Sequence, residues 1–140
     1  MSRLVLKGRK VVGGVAEGEA LVTGEMIAGW GAIDPERGVI TERRHELYNQ
    51  SFKGKVFVFQ GAKGSSGWAK AFQATRLYGS QPAAMLFNVM NSKIALGSVL
   101  VHAPAMTDFD RDPAKVIETG DWVRVDADNG VVEVTKKRDR

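Results

Sequence analysis

Residues 56–79 read VFVFQGAKGSSGWAKAFQATRLYG, and the order of residue types in this stretch decides the fold. Four consecutive apolar residues, Val56, Phe57, Val58 and Phe59, bounded by Gln60 and Gly61, predict a buried strand. Trp68, Ala71, Phe72, Thr75 and Tyr78 then recur at three- and four-residue spacing, which predicts a helix over 68–78 with Gly79 placed to end it. Between them lies a turn rich in glycine and serine. The first N–H groups of a helix lack intrahelical partners and carry partial positive charge, so Gly64, Ser65, Ser66 and Gly67 present donors suited to a carboxylate or phosphate. The two serine hydroxyls add polar contacts at the same place.

Downstream, residues 83–87 predict a second buried strand, 92–96 a short helix and 99–102 a third strand. Strand, helix, strand, helix, strand is the order of an α/β layer. The segment GDWVRVDADNGVVEV closes as a hairpin, with Trp122, Val123 and Val125 facing Val131, Val132 and Val134 across a turn containing Asp128, Asn129 and Gly130. Upstream, strands over 4–6 and 11–12 precede the turn GGVAEG and a further strand over 19–23, giving an opening strand pair. GEMIAGWGAIDPERGVI, with glycines at 24, 29, 31 and 38 and an Asp34-Pro35 turn, reads as a shaped loop ending in Val39 and Ile40. That loop is longer than a simple connection requires.

Composition narrows the function classes. With 140 residues, 44% hydrophobic and four prolines, the chain reads as one soluble domain over 1–135 followed by a basic tail, KKRDR, over 136–140. The net charge of +4 comes mostly from that tail, so the body is close to neutral and lacks the basic face a nucleic acid needs. The tail itself reads as a frayed, solubilising end. No apolar run is long enough to span a membrane, and MSRLVLKGRK lacks the apolar centre of a signal peptide, which points to the cytoplasm. With no cysteine and two distant histidines, His45 and His102, the chain offers neither thiolates nor a histidine cluster for a metal. Any iron–sulfur cluster must come from another chain.

Several segments in one order carry a family resemblance: AEGEALVTGE, WGAIDPERGVI, the HEL of 45–47 followed by Ser51, GKVFVFQGAKGSSG, and the stretch from Pro82 through IALGSVLVHAPAMTD. Over nearly its whole length the chain resembles the small subunit, or swivel domain, of aconitase X-type dehydratases, whose members dehydrate mevalonate 5-phosphate or cis-3-hydroxy-L-proline. The resemblance implies a swivelling domain of β, β and α layers with a C-terminal β-hairpin. It also implies a heterodimer, inactive without a cysteine-containing large subunit that holds an iron–sulfur cluster and most of the active site. In the family the first serine of the GSS turn is assigned as the base, and it falls on Ser65. Classical aconitases have arginine after the two serines, where this chain has Gly67, so backbone donors, Lys63 or the partner must hold the substrate carboxylate instead. The substrate is left among small hydroxy acids, with a lean to a hydroxyproline-like one because APAMTDFD and KGSSGW depart from the phosphomevalonate pattern.

Each assignment has a plainer rival. Ser65 and Ser66 serve equally as helix caps, and Lys63 as a solvated turn lysine. Asp34 reads as the residue that starts a turn, His45 as a surface or strand-edge residue with a local hydrogen bond, and Asn88 and Asn91 as strand-end ligand contacts or as a cap for the next helix. A non-catalytic swivelling module related to phosphohistidine domains, as TGDWVRVDADNGVVEV and GEALVTGE suggest, is the alternative to an enzyme subunit. The phosphohistidine domain carries its histidine at the glycine-rich turn, where this chain has GSSGWAKA.

Overall fold

A computed structural model describes residues 3–29, 31–64 and 67–139. In chain order its elements are β1 (Arg3–Lys7), β2 (Arg9–Val12), β3 (Val15–Val22), β4 (Ile27–Ala28), β5 (Ile33–Asp34), β6 (Val39–Ile40), β7 (Val56–Phe59), β8 (Ala62–Lys63), α1 (Trp68–Leu77), β9 (Ala84–Phe87), α2 (Ser92–Val101), β10 (Ala105–Thr107), α3 (Pro113–Val116), β11 (Trp122–Asp126) and β12 (Val131–Thr135).

Side-chain alternation on the central strands builds the layers. All four residues of β7 are buried, Val56 and Val58 among one apolar cluster and Phe57 and Phe59 among another. β9 repeats the division, with Ala84 and Leu86 on the first side and Met85 and Phe87 on the second. A strand with two apolar faces must be covered twice. The first face packs on Val123, Val125, Val132, Val134 and Leu6 of an antiparallel layer, the second on Trp68, Phe72, Ile94 and Val101 of α1 and α2. Phe52, Phe57, Phe59, Phe72 and Phe87 are wholly buried, and each contributes about 1.5–3 kcal/mol by leaving water. The expected three-layer β/β/α domain and its C-terminal hairpin are present, with register Val123↔Val134 and Val125↔Val132.

The large sheet runs β1-β12-β11-β3-β7-β9-β10-β2, parallel from β3 to β10 and antiparallel elsewhere. β1 and β2 sit at opposite ends of this order although Gly8 alone separates them. One bent segment therefore joins the two edges. A Cβ at Gly8 would lie 2.7 Å from the Phe109 ring and 2.9 Å from the Thr107 carbonyl oxygen, so the bend tolerates no side chain.

The expected opening strand pair does not form. β1 pairs with β12 and β2 with β10, while β3 already begins at Val15, inside the expected turn, and pairs with β11 and β7. The 13–14 bend is tied to the C-terminal hairpin instead: Asp128 Oδ1 accepts from the Gly14 N–H at 3.2 Å and the Gly14 carbonyl accepts from Ala127 N–H at 3.0 Å. The expected strand over 99–102 is also corrected, because α2 continues to Val101 and the third parallel strand is β10. Asn91 Oδ1 caps α2 by accepting from Ile94 N–H at 3.0 Å, and His102 ends it in the left-handed region (φ 61°) two residues before Pro104. α2 meets α1 closely, since a Cβ on Gly97 would lie 2.3 Å from the Trp68 ring.

Lys136, expected within a frayed tail, is instead buried. Its Nζ meets Asp121 Oδ2 at 2.6 Å, Glu118 Oε1 at 3.1 Å and the Val116 carbonyl at 3.1 Å.

Candidate functional site

The glycine-rich turn stands at the C-terminal ends of the parallel strands, where β7 gives way through Gln60 and Gly61 to β8 and then to α1. Three loops fix it. Loop 24–31 lies on one side, because β4 pairs in parallel with β8 (Ile27↔Ala62, Ala28↔Lys63) and the Trp68 indole donates to the Ile27 carbonyl at 2.9 Å. A Cβ on Gly29 would lie 2.7 Å from Trp68 Cα, so the loop rests directly on the first turn of α1. From the opposite side Asn91 Nδ2 donates to the Ala62 carbonyl at 3.3 Å. The third loop, 41–50, sends Glu42 to Lys63, with Oε2 and Nζ 3.3 Å apart.

Lys63 and Gly64 are exposed, so this corner stays open to solvent at the described residues. Gly64 has φ 97° and nothing within 4 Å of a built Cβ; backbone conformation rather than lack of space makes the position favour glycine. Gly67 is the N-cap of α1, and the first turn of the helix contains no acidic residue. α2 and α3 differ, each having its cap made by its own side chain, Asn91 for one and Asp112 for the other. Ser65 and Ser66, the expected base and its neighbour, lie outside the described residues, as does Trp30. Lys63 is exposed, its side chain 47% accessible, and Glu42 pairs with it.

The remaining candidates have structural duties. His45 is buried rather than superficial, and its contacts reach beyond its own loop: Nε2 donates to the Met26 carbonyl at 3.1 Å while Nδ1 accepts from Leu47 N–H at 3.0 Å. The Nε2 contact ties loop 41–50 to loop 24–31. Glu46 strengthens the tie through Thr23 Oγ1 and through Gly24 N–H at 3.2 Å. Asp34 caps its turn, accepting from Glu36 N–H at 3.0 Å and from Arg37 Nε at 2.7 Å, and the Arg37 hydrogen bond holds its carboxyl below the usual range. Asn88 Nδ2 donates to Gln60 Oε1 at 3.2 Å and Asp112 Oδ1 at 2.9 Å, which fastens the strand end to α3.

Glu42 is the site residue that motif reading passed over. A signal for it exists: between Glu46 and Asp108 the sequence has six Lys and Arg and no Asp or Glu, so a carboxylate partner for Lys63 must come from outside the strand-helix segment.

Among the described residues no helix is long and apolar enough to cross a membrane, and no three His, Asp or Glu side chains gather as a metal site.

With this geometry established, comparison with known proteins is direct. Residues 5–134 match the family described as "Aconitase X swivel domain". The chain is 36% identical over 129 residues to the "Phosphomevalonate dehydratase small subunit" of Thermococcus kodakarensis, covering 92% of this chain and 95% of that protein. It is 38% identical over 123 residues to the protein of the same name from Methanothrix thermoacetophila, covering 88% of each. The crystal structure of Thermococcus kodakaraensis aconitase X in its holo-form superposes with a TM-score of 0.89 at 34% identity, over 95% of this chain and 99% of that one. The chain therefore belongs to the aconitase X swivel-domain family, as the small subunit of an aconitase X-type dehydratase.

Proposed function

We propose that this subunit closes over a small hydroxy acid held by a cysteine-containing large subunit and supplies the base for its dehydration. Ser65 is the base. Gly64, Ser66, Gly67 and Lys63 bind the anionic group. The observation that carries this reading is the approach to α1: Lys63 and Gly64 are exposed, and the first turn of the helix contains no acid. Backbone donors and a cation at one point favour negative charge there.

The chemistry needs such a point. Removing a proton from carbon next to a carboxylate builds negative charge where some already sits, so fixed donors aimed at that charge lower the barrier. A serine hydroxyl is a poor base at neutral pH, and the helix end favours its alkoxide. The proton passes from carbon to the Ser65 alkoxide, the electron pair it leaves forms the double bond as the adjacent carbon–oxygen bond breaks on the large-subunit side, and return of the proton from Ser65 to the departing hydroxide gives water, the alkoxide and an unsaturated acid. This chain's residues do not fit an iron–sulfur cluster, having no cysteine and, among the described residues, no group of three carboxylates or imidazoles. Any cluster belongs to the large subunit.

The relatives named as phosphomevalonate dehydratase subunits support mevalonate 5-phosphate as substrate, and a hydroxyproline-like acid is the alternative assayed beside it. The test is co-expression with the large subunit from the same genome and an anaerobic assay of both acids. The pair is expected to dehydrate one of them and the isolated chain neither. A stable pair that leaves both untouched contradicts the proposal.

A further inference from the structure

The two carboxylate oxygens of Glu42 are unequally treated. Oε2 faces Lys63 Nζ at 3.3 Å, while Oε1 is shut off from solvent and, among the described residues, receives no hydrogen bond. A buried oxygen without a donor costs more than a partly exposed ion pair contributes, so stability does not account for this placement. Its effect falls on Lys63. The backbone of that lysine is fixed by the Ala28↔Lys63 pairing and is followed directly by Gly64, but its four-carbon stem is half exposed and would otherwise wander.

We propose that Glu42 is a positioning residue: it holds the ammonium of Lys63, the residue before Gly64, so that the substrate's anionic group meets a cation already in place. The inference rests on the assignment of Lys63 to substrate binding. A preplaced cation spares the substrate the loss of lysine side-chain freedom, and because it grips ground state and transition state alike it acts on KM rather than kcat.

Steady-state kinetics of the reconstituted complex test this, with Glu42→Gln, Glu42→Asp, Lys63→Met and the double variant Glu42→Gln/Lys63→Met. Glu42→Gln should raise KM about tenfold with kcat within about twofold of the parent and an unchanged or higher Tm. Glu42→Asp should recover part of the loss, and the double variant should be no worse than Lys63→Met. A KM that stays or falls, a Tm that drops together with activity, or effects that multiply in the double variant would each overturn the proposal. Relaxation of the 13C-labelled Lys63 methylenes in the isolated full chain gives a readout independent of turnover: ordered in the parent and mobile in Glu42→Gln. Equal mobility in both overturns the positioning role even if the complex is inactive. Ordering by Glu42 in a complex that dehydrates neither acid removes the functional reading alone.

Discussion

Asp121 receives the Lys136 ammonium at 2.6 Å, Glu118 N–H at 2.8 Å and Lys137 N–H at 2.9 Å, whereas Glu42 meets Lys63 at 3.3 Å and leaves an oxygen without a donor. Both are carboxylate–lysine pairs at the ends of elements, and they serve different ends. Burial opposes the charge on Asp121, but its donors outweigh burial and hold the carboxyl below the usual aspartate range. Burial likewise opposes the charge on Lys136, and the hydrogen bonds to Asp121 and Glu118 push its pKa above the ordinary lysine value. A saturated pair of this kind locks the end of β12 to the loop before β11. An unsaturated pair at an open turn contributes little to folding and keeps a cation oriented toward whatever enters.

The sharpest way to break that contrast is to delete the saturated carboxylate. Asp121→Ala leaves Lys136 with only Glu118 and the Val116 carbonyl, and urea unfolding should show a loss of about 3 kcal/mol, the lower end for a broken buried pair. A loss below about 1 kcal/mol would place Asp121 among ordinary surface pairs.

Acid should erode the same lock more gently. Because the folded pKa of Asp121 lies below its unfolded value, its contribution is complete above the ordinary aspartate range and disappears as the pH falls through the folded value. The stability gap between the parent and Asp121→Asn should therefore narrow as unfolding is measured at pH values progressively below about 4. A gap independent of pH would contradict the assignment.

At the open turn the expected effect on stability is smallest. Glu42→Gln should change the unfolding free energy by no more than about 0.5 kcal/mol, or raise it, since it removes a charge whose Oε1 has no donor. A loss comparable with that of Asp121→Ala would erase the distinction between the two pairs.

Sequence made the centre of the fold legible and left its margins hidden. β7 and α1 were readable because a short run apolar on both faces and a three-to-four spacing are local signals. The C-terminal hairpin was readable because its two strands alternate across a short turn. α2 misled because the run IALGSVLV is apolar around the whole helix, with Leu96 and Val99 left exposed, so no period separated helix from strand. The pairing of β1 with β12 joins opposite ends of the chain, and no local pattern announces it. At the site, the glycines of the turn and Lys63 were marked by their place between strand and helix. His45 and Glu42 were obscured because their partners, Met26 and Lys63, sit on other segments of the chain.

The central claim is that Ser65 takes the proton. Single-turnover dehydration by the reconstituted complex carrying Ser65→Ala tests it most directly, with assembly followed by size-exclusion chromatography. The account predicts an intact complex whose turnover falls about a thousandfold, the scale on which a positioned base acts. An intact complex that keeps near-parental turnover would contradict it.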